Sequence, residues 1–106
     1  EECAYNFQQL KRGKLIGEST WGGANPGGNV RLSDHFECFI PVGMARNPYT
    51  KTNWEGTGGI PDVRCTSNEA LKKAHVLSLE EIVANTKDEE RKRDLMRVLE
   101  EVVKGN

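Results

Sequence analysis

Asn29-Val30-Arg31-Leu32-Ser33-Asp34-His35-Phe36-Glu37-Cys38-Phe39-Ile40-Pro41-Val42 is the stretch on which the fold turns. β-Branched and aromatic residues gather in Asn29–Leu32 and Phe36–Val42, with turn-forming Ser33-Asp34-His35 between them. That pattern predicts two strands joined by a turn. Successive side chains on a strand point to opposite faces. Phe36, Cys38, Ile40 and Val42 therefore share one face and Phe39 takes the other, which predicts a strand covered on both sides.

Toward the amino terminus, Glu1 to Leu10 has helical composition, with Cys3, Phe7 and Leu10 on one face at i, i+4, i+7. Lys11-Arg12-Gly13 adds positive charge and a stop. Lys14-Leu15-Ile16-Gly17 reads as a short apolar strand, and Ser19 to Asn29 as a glycine-rich loop. Toward the carboxyl terminus, Asn47-Pro48-Tyr49-Thr50 is a turn and Asn53 to Pro61 a second glycine-rich irregular stretch.

Composition changes after residue 66. All four prolines and all but one of the eleven glycines precede it; beyond it Glu, Lys, Leu and Ala dominate. Thr66-x-x-Glu69, Ser78-x-x-Glu81 and Thr86-x-x-Glu89 have the spacing of a capping box. The first and third are expected to open helices, and Ser78 to lie inside a helix from about residue 68 to 84. Leu95, Val98, Leu99, Val102 and Val103 form an apolar stripe, with Glu89/Arg93 and Glu100/Lys104 as i, i+4 pairs on the wet face. The expected class is α/β of the α+β kind: mixed short strands in residues 1–66, then a helical segment in 67–106 that packs on them or mediates oligomerisation.

A chain of 106 residues holds one domain at most. A net charge of −1 gives no electrostatic reason to expect nucleic acid or an anionic membrane as partner. No apolar run approaches the roughly 20 residues of a membrane span. Cys3, Cys38 and Cys65 are odd in number, with no Cys-x-x-Cys, which argues against a disulfide framework and a structural zinc site. Glu1-Glu2-Cys3-Ala4-Tyr5 reads as the inside of a helix, so the protein is expected to start upstream of it.

Chemistry has few places to sit. The Gly22–Gly28 loop lacks the Gly-Lys-Ser/Thr of a phosphate loop and is followed by a strand, so it reads as a site of close backbone approach. In Asn53–Asp62, Glu55 stands beside Trp54 among glycines; it either closes a hydrogen-bonded turn or orients a histidine. His35 lies at the hairpin tip and His75 among helical residues, neither with a Ser or Cys at a telling spacing. Asp34, His35 and Glu37 make a poor metal cluster, because Asp34 leaves the face that the other two share.

Leu15-Ile16-Gly17-Glu18-Ser19-Thr20-Trp21-Gly22-Gly23-Ala24-Asn25-Pro26-Gly27 and Ile40-Pro41-Val42-Gly43, followed by Asn47-Pro48, Thr50, Thr52-Asn53-Trp54-Glu55-Gly56, Gly58 and Pro61-Asp62, resemble one family. It is the tail-specific (carboxyl-terminal-processing) serine peptidases, in the branch of tricorn protease and the repeats of interphotoreceptor retinoid-binding protein. The resemblance spans roughly residues 1–75 and implies the last portion of a ClpP/crotonase-like fold. It places the nucleophilic Ser two or three residues before Glu1, outside this chain. Where another branch carries a Lys base this chain has Gly23, so a Ser–Lys dyad is not expected. The tricorn-like branch uses a distant His assisted by a Glu, and Glu55 matches that position. The resemblance thus implies a serine endopeptidase fragment, inactive alone, with a polypeptide substrate, no cofactor or metal, export from the cytoplasm and a possible homo-oligomer. Its alternatives are a hydrophobic-ligand-binding module without catalysis, or an oligomerisation domain.

Overall fold

The computed structural model describes residues 1–105, and its elements run α1 (Glu2–Gln9), β1 (Ile16–Gly17), β2 (Gly27–Arg31), β3 (Glu37–Pro41), β4 (Val63–Arg64), α2 (Ser67–Asn85) and α3 (Glu89–Lys104). Three helices and two two-stranded sheets make this an α+β chain. Contacts divide it into two units: Glu1–Leu15 with Ser19–Asp62, and Ile16–Glu18 with the chain from Val63 onward.

The first unit has a small core of Tyr5, Ala24 and Trp54, with Ala45 half-buried against it. The Tyr5 and Trp54 rings lie 5.3 Å apart and tilted by 47°. This corrects the expected face of α1. Cys3, Phe7 and Leu10 are exposed, and Tyr5 is the helix's buried residue. The reason is a tertiary contact: the Tyr5 hydroxyl and Thr52 Oγ1 lie 2.6 Å apart in a hydrogen bond, which turns that face of a two-turn helix onto the loops. Phe7 lies over Gly13 instead. The helix ends at Gln9 with Leu10 as its C-cap, and Lys11, rather than Gly13, takes the left-handed conformation (φ 51°).

β2 and β3 form the antiparallel hairpin in the register Gly28↔Ile40, Val30↔Cys38, Arg31↔Glu37. Their pairing follows the period-two reading, but the expected cover is missing. Every residue of both strands is exposed, and among the described residues no other element packs on them.

In the second unit β1 and β4 pair in parallel, Ile16 with Val63 and Gly17 with Arg64, and α2 packs on both β1 and α3. Thr66 caps α2 as expected, its amide and hydroxyl both donating to Glu69 Oε2 (3.2 and 2.7 Å). Ser78 is internal and donates to Ala74 O. The start of α3 differs from expectation. Thr86 ends α2, donating its hydroxyl to Ile82 O, and Asp88 is the N-cap, accepting Arg91 N–H at 2.7 Å. Leu95, Leu99 and Val102 of the stripe are half-buried, whereas Val98 and Val103 remain exposed. Glu100–Lys104 forms at 3.7 Å; Arg93 bonds the Glu89 carbonyl rather than its carboxylate. No described helix is long and apolar enough to cross a membrane.

Candidate functional site

Two glycine-bearing loops of the first unit, Thr20–Asn25 and Asn53–Asp62, lie against each other. Glycine is required where they touch. Gly22 and Gly58 have φ of +93° and +70°. A Cβ on Gly22 would meet the amides of Gly56, Thr57 and Gly58, and one on Gly58 would overlap the Thr20 carbonyl. That closeness allows backbone bonding across the pair: Gly56 N–H to Gly22 O (2.8 Å), Thr20 N–H to Gly59 O (3.2 Å), and Gly59 N–H to Thr20 Oγ1 (2.7 Å). Trp54, buried in the core, donates Nε1–H to Gly23 O at 3.0 Å.

Two carboxylates then take four consecutive amides of the first loop. Glu1 accepts Gly22 N–H on Oε1 (2.6 Å) and Gly23 N–H on Oε2 (3.0 Å). Glu55 accepts both Ala24 N–H (2.7 Å) and Asn25 N–H (3.1 Å) on Oε2. The Thr20 hydroxyl, with the Gly22 and Gly23 amides, holds the Glu1 carboxyl below its usual range. Glu55 is itself held from behind. Its N–H donates to Asn53 Oδ1 (3.1 Å), and Asn53 Nδ2 donates to Ala45 O (2.7 Å).

The Glu55 side chain is exposed, and its Oε1 makes no hydrogen bond among the described residues. Beside it, Asn25 Oδ1 is buried with no partner. A carboxylate fixed through one oxygen and free at the other is suited to accept from a donor brought to it, such as an imidazole N–H. Glu55 therefore closes a hydrogen-bonded turn, and the same bonds leave an acceptor over.

The histidines are not brought to it as a ready catalytic pair. His35 is exposed at the hairpin tip, its backbone amide 3.5 Å from Ser33 Oγ, and His75 is exposed on α2 in the other unit. Among the described residues no Ser, Thr or Cys side chain bonds either ring, and no group of three His, Cys, Asp or Glu side chains is placed to hold a metal ion. Asp34 and Glu37 are engaged elsewhere, by Arg31 (2.6 Å) and Asn29 Nδ2 (2.9 Å). An open cleft of ≈ 580 Å³ in the helical unit is lined by residues such as Glu81, Asn85 and Arg91, with none of the carboxylate-bearing loops contributing. Hydrogen-bond geometry, rather than cleft size, is the reason to centre the site on Glu55.

Sequence reasoning missed Glu1 and the fastening role of Asp62. Asp62 accepts Leu15 N–H on Oδ2 (2.7 Å) and Gln8 Nε2 on Oδ1 (3.1 Å), and the Leu15 amide, followed by Gln8, lowers its pKa. Asp62 closes the Asn53–Asp62 segment that carries the family resemblance, which was the available signal; nothing in the spacing pointed to Glu1. No family model matches this chain, and no solved structure matches it.

Proposed function

We propose that these residues supply the Glu55-bearing part of a serine peptidase site of the tail-specific type, within a ClpP/crotonase-like fold. The Ser nucleophile and His base lie outside the 106 residues. In this reading a neutral imidazole takes the Ser proton while Glu55 accepts the imidazole's other N–H and stabilises the imidazolium that forms. The observation that carries it is the division of labour within one carboxylate. Oε2 is bound by two loop amides, which hold the group against the loop, while Oε1 has no partner among the described residues. The sequence likeness to the family supplies the reaction class.

Two substitutions separate catalysis from architecture. Glu55→Gln keeps an acceptor for Ala24 and Asn25 N–H but removes the charge facing the base. In the polypeptide that contains Ser and His, it is expected to lower kcat for peptide hydrolysis by about tenfold or more with the melting temperature nearly unchanged. Glu55→Ala loses the loop as well and is expected to lower both. Wild-type turnover in Glu55→Gln would reduce Glu55 to a turn residue. The 106-residue chain alone is expected to stay unlabelled by a fluorophosphonate; covalent labelling would place a nucleophile inside it.

A further inference from the structure

Glu1 is the N-cap of α1, and its carbonyl accepts Tyr5 N–H at 2.9 Å. A capping side chain ordinarily turns back onto the free amides of its own helix. That of Glu1 makes no such bond. It crosses to the first glycine loop, where Gly22 N–H (2.6 Å) and Gly23 N–H (3.0 Å) each donate to one of its oxygens. The next two amides, of Ala24 and Asn25, belong to Glu55. Two carboxylates from distant parts of the first unit are thus registered on one row of four consecutive amides, at most about 11 Å of backbone.

The loop has other bonds that hold its shape. Gly22 O accepts Gly56 N–H (2.8 Å), Gly23 O accepts Trp54 Nε1–H (3.0 Å), and Thr20 is bonded to Gly59 through both its amide and its hydroxyl. The helix, in turn, is tied down by Tyr5 to Thr52, Asn6 to Asn47 and Gln8 to Asp62, all a full turn or more beyond Glu1. What Glu1 adds is a charge-assisted link between the loop and the leading end of α1. Without it the helix stays attached, but its first turn is free to fray.

We propose that Glu1 is a positioning residue: through the Gly22–Asn25 amides it sets the start of α1, and the chain leading into it, in register with Glu55. The inference rests on the peptidase reading, in which the Ser lies two or three residues before Glu1 and so within about 7 to 11 Å of it. Glu55 holds the other end of the same row. A misplacement of about 1 Å between reacting groups can cost on the order of 100-fold in rate. A link that fixes the nucleophile's segment relative to Glu55 therefore acts on turnover more than on substrate binding. A carboxylate that only fastened the fold would act on stability and leave the turnover of folded enzyme alone.

In the polypeptide that contains Ser and His, Glu1→Ala is expected to lower kcat for peptide hydrolysis about tenfold, with KM changed by less than about twofold. Acylation by a fluorophosphonate should slow by a similar factor. Glu1→Gln keeps one acceptor for the two amides and is expected to recover part of the loss; it stands in if Glu1→Ala fails to fold. Glu69→Ala, which removes the cap of α2 in the other unit, is expected to lower the melting temperature and leave kcat unchanged. Because both carboxylates act through one row of amides, Glu1→Ala combined with Glu55→Gln should lose less than the product of the two single losses. Wild-type kcat in the Glu1 variants, beside a fall in Glu55→Gln, overturns the inference and leaves the peptidase reading standing. So do single losses that simply multiply, or an equal fall in Glu69→Ala. Wild-type turnover in Glu55→Gln removes the peptidase reading, and this inference with it.

Discussion

Two stretches of one unit are built on opposite principles. In the paired loops, the amides of Gly22, Gly23, Ala24 and Asn25 each have a named acceptor, and so do those of Glu55, Gly56 and Gly59. In the neighbouring hairpin the backbone ladder is made, but the apolar side chains have nothing to lie on. The loops therefore hold their form through polar bonds laid around the buried Ala24 and Trp54. The hairpin leaves its apolar side chains exposed. The function proposed for the loops follows: a rigid mount for one carboxylate.

The sharpest test of this contrast compares two glycines. Gly58→Ala demands a Cβ at φ +70° that overlaps the Thr20 carbonyl. It is expected to cost about 3 kcal/mol or more in urea unfolding, and to weaken any activity that depends on Glu55. Gly28→Ala, in the hairpin, places its Cβ where nothing lies within 4 Å. It is expected to change stability by under about 0.5 kcal/mol, or to add slightly by restricting the unfolded chain. Equal costs at the two positions would erase the distinction between fastened loop and open hairpin.

Acid should loosen the loops before the hairpin. Glu1 and Asp62 both have folded-state pKa values below the ordinary ones, through the Thr20 hydroxyl and the Leu15 amide first of all. A depressed carboxyl pKa means that its stabilisation is complete above the unfolded value and fades as pH falls through the folded one. The melting temperature is thus expected to hold from neutrality to about pH 5 and decline toward about pH 2. Asp62→Asn, neutral throughout, should show a shallower decline over that window. An unchanged slope would remove Asp62 from the set of fastenings.

How much of this was legible in the sequence depends on the range of the interaction. Period two placed Val30, Cys38 and Ile40 together, and the i, i+3 spacing of Thr66 and Glu69 located the cap of α2. Thr86 was misjudged because Asp88, two residues on, competes for the same task, and a carboxylate reaching Arg91 N–H does it better. The cover over the hairpin was not legible at all. Alternation says which residues share a face, never what lies above it. Glu1 and Glu55 meet amides 21 to 31 residues away in sequence. No local period encodes such a pairing, so Glu55 stood out only through the motif around it and Glu1 not at all.

The smallest expected effect is the most telling about the hairpin. Val42 is 85% exposed, so in a dilute monomer its side chain has almost no burial to lose. Threonine keeps the β-branch that suits extended backbone. Val42→Thr is therefore expected to shift the unfolding free energy by less than about 0.5 kcal/mol at low micromolar protein. A loss above about 1.5 kcal/mol already present at dilution would mean that Val42 is buried within a single chain, and the hairpin would then belong with the fastened loops.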